Sequence, residues 1–310
     1  MVIYILSRLL RLIIVFFVVT IFAFLLMHNV PGGPWDETNR NLTEQQRANM
    51  MAKFGLDKPL HEQYLTYIGN ALHGDFGISY QFKDRTVIQV ISSVWPKSIQ
   101  LGGTTVVFAI TLGIFMGILA GIRQNTWVDT VVTFISTLGM TVPNFIISIW
   151  MILILVVKLK WLPISLDADR WSDPKAWIMP VIALGLGPMG IAARFTRGSL
   201  TEVLTADYIR TARAKGLSET MVIWRHTMKN ALIPIITALG PMIPNMITGT
   251  IFVETMFRVN GIGKFFVTSI IQRDYPMILA LMLIIASLWG ILYLLTDLLA
   301  TIIDPRIKLD

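Results

Sequence analysis

Long apolar runs recur along the 310-residue chain, separated by short polar connections. Several reach the length of about 17 to 25 residues that an α-helix needs to cross a bilayer. They predict six membrane-spanning helices, over 9–30, 98–122, 128–157, 177–195, 231–253 and 277–303. The first run is too long for the core of a signal peptide and is followed by MHNVPGGP, which offers no small-residue cleavage site. We therefore expect it to be a retained helix.

Basic residues gather in alternate short connections between these runs. They are Arg8, Arg11, Arg123, Arg194, Arg197, Arg210, Arg213, Lys215, Arg225, Lys229, Arg306 and Lys308. The positive-inside rule places such connections in the cytoplasm. Because an even number of spans returns the chain to its starting side, both termini are predicted to be cytoplasmic.

The polar segment 31–96 predicts a small helical subdomain on the outer side. Thr43 with Gln46 forms a capping-box pattern that starts a helix ending near Gly55. Pro59 can open a second helix, which HGDFG at 73–77 then ends. Two roles are open for this subdomain: covering the mouth of the helix bundle, or docking a partner.

Glycine and proline are placed unusually within the predicted spans. Gly113, Gly117 and Gly121 form a ridge on the second span that favours close helix packing. Internal prolines free backbone carbonyls that lipid cannot satisfy, so they predict interrupted helices around a cavity. The alternative is a static bundle with ordinary kinks. The interrupting prolines are Pro143, Pro180, Pro188, Pro234, Pro241 and Pro244.

Composition supports a polytopic membrane protein, since 54% of residues are hydrophobic, 15% are charged and the mean hydropathy is +0.65. The net charge of +7 follows the topology, so nucleic acid is a poor candidate partner. The absence of cysteine excludes disulfides and thiolate chemistry. The four histidines show no metal-binding spacing, and no metal site is predicted.

None of the candidate motifs for catalysis or proton coupling in this sequence is complete. The Gly263-Lys264 pair is followed by Phe265 and lacks the first glycine of a phosphate-binding loop. Glu254 and Asp297 lie near the ends of spans, where pairing between helices explains a carboxylate better than proton coupling does. The chain is therefore predicted not to be an enzyme itself.

The polar insertion between the fourth and fifth predicted spans is longer than a connection between two membrane helices needs to be. Residues 206–234 predict a short helix from Tyr208 to Lys215, a turn at Gly216, and a second helix starting at Ser218 or Glu219. Anchoring and attraction to anionic lipid explain the charge. A helix with an exposed Ala/Leu face is what a soluble partner would grip, and we expect such a face here.

The insertion resembles the coupling loop of ABC importer permeases. Its Arg210-Thr211-Ala212 falls on the family's Glu-Ala-Ala and Gly216 on the family's glycine, although the proline comes late, at Pro234. IRTARAKGL at 209–217 is similar to the form in the first permease subunit of oligopeptide and dipeptide importers. Further blocks of that subfamily occur in order: ILSRLLRLI, GLDKPLHEQYLTYI, HGDFGISY, ARFTRGSLTEVL, ETMFRVNGIGKFF, RDYP and DPRI.

The resemblance implies an all-α polytopic protein, the transmembrane domain of a type I ABC importer, in the inner membrane of a bacterium or archaeon. It implies a first unit over 1–93, a five-helix domain over 94–303 with a coupling loop at 198–230, and a tail over 304–310. It also implies a second homologous permease, two cytoplasmic ATPase subunits that bind ATP and Mg²⁺, and an extracytoplasmic peptide-binding protein. No cofactor is expected on this chain.

Two sets of site residues are predicted for such a permease. Contact with the ATPase is expected from Arg210, Thr211, Ala212, Arg213, Ala214, Lys215, Gly216 and Leu217. A wide, wet path for peptide is expected to be lined by Thr141, Pro143, Asn144, Asn245, Thr248 and Ser287, each of which can instead bond a neighbouring helix.

The sequence leaves alternatives open for the cargo and for the transport mechanism. The subfamily includes importers of nickel chelates, glutathione and haem besides peptides. An ion-coupled secondary transporter predicts a mid-membrane acid or an inverted repeat, and the sequence has neither. A membrane scaffold that transports nothing would not need kinked spans.

Overall fold

The computed structural model describes residues 2–29, 43–82, 85–164, 168–228, 240 and 242–303. Within those ranges the chain is helical and contains no β-strand, only an isolated bridge between Ile78 and Thr86. The helices are α1 Val2–Asn29, α2 Glu44–Lys53, α3 Leu60–Leu72, α4 Val87–Ile122, α5 Trp127–Thr141, α6 Asn144–Met151, α7 Pro174–Leu204, α8 Asp207–Ala214, α9 Glu219–Met221, α10 Met242–Ile247, α11 Ile251–Met256, α12 Ile262–Ile271 and α13 Tyr275–Ile303. Two of them continue as π-helix, α6 into Ile152–Lys158 and α9 into Val222–Thr227.

Contacts divide the chain into two units. The first unit comprises Lys97–Asn260 with Ile291–Asp310, and the second comprises Val2–Pro96 with Gly261–Gly290. The grouping thus assigns α12 and most of α13 to the same unit as α1, α2 and α3, whereas the sequence analysis draws its boundary after residue 93.

Among the residues that the structure describes, four helices are long and apolar enough to cross a membrane, and they lie in α1, α4, α7 and α13. The α5 and α6 pair passes the same test jointly but is bent by 107°. These five elements coincide with five of the predicted spans. For the remaining one, 231–253, residues 231–239 and 241 lie outside the described residues, and the rest forms the short helices α10 and α11. The count of six spans stays a prediction.

The prolines differ in whether they interrupt a helix. Pro143 stands between α5 and α6, so the predicted interruption of the third span is confirmed. The predicted interruption of the fourth span is wrong, because α7 continues through both Pro180 and Pro188. Residues four positions earlier, Ala176 and Leu184, are buried, so the carbonyls freed by the prolines face protein rather than lipid. Pro234 and Pro241 lie outside the described residues, and Pro244 is buried within α10.

In the first unit, α7 approaches both α4 and α5 closely. A Cβ added to Gly117 would lie 2.5 Å from the Ala193 carbonyl oxygen, and one added to Gly113 would lie 2.6 Å from Ala192 Cβ. Gly121 faces Leu200 in the same way. On the α5 side, a Cβ on Gly190 would lie 2.5 Å from the Ser136 carbonyl oxygen. Because these glycines have no side chain, α7 can approach α4 and α5 closely enough for backbone atoms to be in contact.

The second unit has its own apolar core and a capped helix. Val87, Ile91, Ile262, Met277 and Leu281 are buried together there. The predicted capping box at α2 is confirmed: the Thr43 hydroxyl accepts from the Gln46 amide at 3.3 Å, and the Gln46 side-chain oxygen accepts from the Thr43 amide at 3.0 Å. The second helix of the predicted subdomain, α3, begins directly after Pro59, as expected.

The close approach of α4 to α7 can be tested with Gly117→Ala. The added methyl group must displace α7 backbone, and such overpacking costs about 1 to 3 kcal/mol. We expect thermal unfolding in detergent to occur several degrees lower than in the parent. Gly103→Ala on the same helix is the matched control, because nothing lies within 4 Å of a Cβ at that position. Equal melting temperatures for both variants would contradict this packing.

Candidate functional site

The polar insertion after α7 folds as the predicted helix, glycine turn and second helix. Ile209 and Ala212 of α8 are buried against Val222, with Val203 and Leu217 partly buried around them. This small core holds α8 against the helix that follows it. The insertion is therefore an ordered element rather than a loose charged loop.

Gly216 ends α8 in a left-handed conformation with φ of +76°. The Leu217 amide donates to the Ala212 carbonyl at 3.4 Å, and the Gly216 amide donates to the Arg213 carbonyl at 2.9 Å. These two bonds form a Schellman motif, which satisfies the last carbonyls of the helix. A Cβ at Gly216 would meet nothing within 4 Å, so the backbone conformation alone requires glycine there.

The second helix begins at a side-chain cap and is tied back to α8. The Ser218 hydroxyl accepts from the Met221 amide, which caps α9. Arg213 donates from two nitrogens to the Glu219 carboxylate, at 2.7 and 3.2 Å. Both side chains are largely exposed, so this bridge orients the turn more than it stabilises the fold.

The exposed face of this element differs in character from the expected Ala/Leu face. Ala212 is buried and Leu217 half-buried, because both pack into the small core beneath α8. The outward residues are mostly basic, polar or aromatic, with Ala214 and the acids Asp207 and Glu219 among them: Tyr208, Arg210, Thr211, Arg213, Lys215 and Trp224. Ala212 and Leu217 support the element from within, and the other predicted coupling residues form its surface.

Apolar contacts join the insertion to the ends of the long helices. Leu200 of α7 and Met228 are buried together, with Ile118 of α4 and Ile223 packed against them. Only Thr205 and Ala206 separate α7 from α8. The end of α7 and the insertion are therefore joined both by a short connection and by apolar packing.

An ion pair that the sequence analysis missed joins α5 to the same end of α7. Arg197 donates to both carboxylate oxygens of Asp129, from Nη2 at 2.8 Å and from Nε at 2.5 Å. Asp129 is buried and also accepts from the Asn125 amide at 3.0 Å. An acid within a predicted span, with an arginine two residues beyond the end of the next one, was the available signal.

Five of the six predicted path residues lie in the first unit, at two kinds of position. Thr141, Pro143 and Asn144 occupy the bend between α5 and α6, where the chain turns by 107°. Asn245 is exposed on α10, whereas Thr248 is buried and donates to the Pro244 carbonyl at 2.9 Å. Ser287 is exposed on α13 and belongs to the second unit.

A buried carboxylate organises the second unit. Asp274 accepts from the Ser79 hydroxyl, from the Tyr80 amide at 3.1 Å and from the Met277 amide at 3.4 Å. Burial raises the pKa of Asp274, while these hydrogen bonds act in the opposite direction. The HGDFGISY and RDYP blocks, distant in sequence, thus meet at one carboxylate.

A second buried carboxylate of the first unit joins two helices. Glu254 is buried and accepts from the Ser98 hydroxyl at 2.7 Å, which agrees with a role in helix pairing. No group of three His, Asp or Glu side chains in those ranges is placed to hold a metal ion. The absence of a metal site stays a prediction.

Comparison with known proteins then decides the family. Residues 109–309 match the family described as the binding-protein-dependent transport system inner membrane component, and residues 1–102 match the family of its N-terminal part. The chain belongs to this family. It is thus a membrane component of a transport system, in agreement with its apolar helices.

Curated relatives share nearly the whole length. The dipeptide transport system permease protein DppB of Bacillus subtilis is 40% identical over 94% of this chain and 93% of its own. The protein of the same name from Lactococcus lactis subsp. cremoris is 39% identical over 100% of both chains. The oligopeptide transport system permease protein OppB of Haemophilus influenzae is 38% identical over 98% of this chain and 99% of its own.

Solved structures support the fold alone. An inward-facing structure of the MetNI methionine ABC transporter aligns with a TM-score of 0.57 at 16% identity, covering 70% of this chain and 97% of that chain. An amino acid ABC transporter structure with histidines aligns with a TM-score of 0.50 at 15% identity, covering 71% and 95%. The helical architecture of this chain is therefore that of ABC transporter membrane domains.

The contribution of the Asp129–Arg197 pair can be measured with Asp129→Asn. The change leaves a partly buried guanidinium without its countercharge, and losing hydrogen bonds to a charged group costs roughly 1.5 to 3 kcal/mol. We expect a clear decrease in thermal stability in detergent. Asp207→Asn is the control, because its pair with Arg210 is exposed and 3.6 Å apart. Similar melting temperatures for both variants would show that the buried pair is dispensable.

The raised pKa of Asp274 predicts how stability depends on pH. Because the folded protein keeps this proton to a higher pH than the unfolded chain, the unfolded state binds fewer protons between the two pKa values. The free energy of unfolding therefore falls as pH rises from about 4, the ordinary aspartate value, through the raised pKa.

Asp274→Asn should flatten this dependence. Melting temperatures measured from pH 4 to pH 7 would show it, since the variant keeps a similar shape but cannot titrate. Asp57→Asn, at an exposed acid of the same unit, should retain the slope of the parent. A slope unchanged by Asp274→Asn would assign the pH dependence to other groups.

Proposed function

We propose that this chain is a permease subunit of an ABC importer for dipeptides or oligopeptides. With a second homologous permease it forms the translocation path, and a peptide-binding protein outside the membrane delivers the cargo. The observation that carries the proposal is the ordered element 207–228, which is attached to α7 and exposes a basic, aromatic surface. Full-length similarity to dipeptide and oligopeptide permeases supports the choice of cargo.

ATP is hydrolysed on two partner subunits in the cytoplasm. The Gly263-Lys264 pair lies in the first turn of α12, after a cap at Gly261, and has no phosphate-binding loop before it. ATP and Mg²⁺ therefore belong to the partners. Their contact surface on this chain is formed by Arg210, Thr211, Arg213, Ala214 and Lys215, while Ala212, Gly216 and Leu217 hold its shape.

Closure of the ATPase pair displaces α8, and the displacement travels along α7. The packing of Ile118 against Leu200 and Met228 passes it to α4, and the Asp129–Arg197 pair passes it to α5. The bend at Pro143 then lets α6 change its angle relative to α5. Movement at this bend exposes the path alternately to the two sides of the membrane.

Peptide passes groups that offer hydrogen bonds without charge. Such groups suit a cargo with variable side chains, because they bind the amide backbone common to all peptides. Thr141, Asn144, Asn245, Thr248 and Ser287 are proposed for this role, with Pro143 fixing the bend. The binding protein does most of the selecting.

The proposed topology has six spans, with both termini in the cytoplasm. Residues 1–93 provide the first span and an outer helical subdomain, 94–303 the remaining spans with the coupling loop 198–230, and 304–310 a cytoplasmic tail. The basic connections next to α5, α7 and α8 support this orientation. The chain resides in the inner membrane of a prokaryotic cell.

The coupling role can be tested with Gly216→Val. A β-branched residue at φ of +76° is strained by about 1 to 3 kcal/mol, which distorts the turn that positions α8. In proteoliposomes holding the complete transporter, we expect assembly and ATP hydrolysis to persist. The ratio of peptide uptake to hydrolysis should fall by at least about fivefold, the lower end of ordinary coupling energies.

Gly74→Val is the control, because Gly74 has φ of +81° and open space around it but belongs to the second unit. This variant introduces similar backbone strain away from the coupling element. Normal uptake per ATP in Gly216→Val would refute the coupling role. Uptake by this chain alone under an ion gradient would refute the importer class as a whole.

A further inference from the structure

A row of exposed threonines runs along α5 in the first unit. Its members recur three or four residues apart, which places them on one side of the helix. They are Thr130, Thr133, Thr137 and Thr141, and together they are called the threonine face. Of these residues, only Thr141 belongs to the path proposed above.

The neighbouring side of α5 is exposed and apolar. Val131, Phe134 and Leu138 are between 41% and 63% exposed, and they also recur three or four residues apart. The exposed surface of α5 is thus divided lengthwise into a polar part and an apolar part. Such a division suits a helix that stands between a wet and an apolar environment, rather than one surrounded by lipid.

The threonine face is long enough to reach the middle of a bilayer. The helix α5 begins at Trp127, and at 1.5 Å per residue Thr137 lies about 15 Å from that end. The hydrocarbon core of a bilayer is about 30 Å thick. In the proposed topology Trp127 stands at the cytoplasmic end of the span. The threonine face therefore extends from the inner surface to mid-membrane, and Thr141 brings it to the bend before α6.

A polar cavity lies beside this face. Its volume is about 240 Å³, far more than one water molecule requires, and its wall includes Thr133, Thr137 and Arg194. Arg194 is exposed and forms no ion pair with an acidic residue in the part of the chain that the structure describes. Because an uncompensated guanidinium is costly in lipid, charged side chains of membrane helices face water-filled cavities. The cavity therefore indicates water as the neighbour of the threonine face.

The hydroxyls of this face can still accept hydrogen bonds. Thr130 donates to the Thr126 carbonyl at 3.3 Å, and Thr137 donates to the Thr133 carbonyl at 2.8 Å. These bonds use the hydroxyl protons but leave the oxygen lone pairs available to a donor. Water and the amide groups of a peptide are such donors. The face thus offers repeated, uncharged acceptors to a molecule that moves past it.

We propose that the threonine face of α5 lines the inner half of the translocation path. This inference rests on the peptide importer function proposed above. A peptide that has passed the bend at Pro143 moves in water along Thr137 and Thr133 towards the cytoplasm. The apolar side of α5, with Phe134 and Leu138, is excluded from that water.

The absence of cysteine from this chain permits a direct test with single thiols. Thr137→Cys is compared with Leu138→Cys, which lies at the same depth on the apolar side. The complete transporter, in inverted membrane vesicles with and without ATP, is treated with a charged trimethylammonium methanethiosulfonate, and label on this chain is counted by mass spectrometry. We expect Thr137→Cys to react at least about tenfold faster, because the charged reagent does not enter lipid and only a hydrated thiol forms the reactive thiolate.

Two further variants and one control complete the pattern. Thr133→Cys should react like Thr137→Cys, and Phe134→Cys should react like Leu138→Cys. After denaturation all four variants should be labelled equally, which shows that each thiol is intact. Equal rates for Thr137→Cys and Leu138→Cys would overturn the proposal. So would a lack of reaction at both threonine positions with and without ATP, since lipid or another helix would then cover the face.

Uptake after labelling distinguishes the path from a water-filled crevice beside it. The bulky, charged label on Thr137→Cys should strongly reduce peptide uptake, whereas the same treatment should leave uptake by the parent unchanged. Full uptake by completely labelled Thr137→Cys would refute the assignment to the path. The labelling pattern does not depend on transport, so its failure is distinct from a failure of the proposed function, which would appear as no peptide uptake by the untreated parent.

Discussion

The first unit depends on the backbone contact of α7 with its two neighbours. Within a bilayer no hydrophobic force draws helices together, so association relies on van der Waals contact at short range. Gly113 and Gly117 of α4 provide that contact on one side, and Gly190 of α7 provides it on the other. Because the contacts run along α7, its register is fixed against both helices at once. Sliding it by one residue would place side chains where only backbone fits.

This constraint bears on the coupling role proposed for the exposed insertion. The element 207–228 follows α7 after only two residues and has a small core of its own. Because α7 is packed tightly between α4 and α5, the proposed coupling requires that a displacement of α8 move the three helices together. The bend at Pro143 is the nearest point where that group can yield. In the proposed mechanism, the tightly packed helices transmit the displacement of α8 and the bend at Pro143 allows α6 to change its angle.

Much of this could be predicted from the sequence, because the strongest signals were local. Apolar length located five of the spans, the capping box located α2, and Gly216 located the turn after α8. The predictions failed where neighbours decide the outcome. Pro188 suggests a break when considered alone, but α7 continues through it where the helix is packed among its neighbours rather than facing lipid. Ala212 suggests an exposed surface, but the following helix covers it.

The polar contacts could not be predicted for the same reason, since each joins distant segments. Asp129 and Arg197 are 68 residues apart, Ser98 and Glu254 are 156 apart, and Ser79 and Asp274 are 195 apart. Apolar side chains packed in lipid discriminate weakly between registers, because one apolar contact replaces another at little cost. A buried carboxylate does not tolerate such exchange, since leaving it unpaired costs several kcal/mol. Within each unit, glycine therefore sets how close the helices come, and the carboxylates select which residues meet.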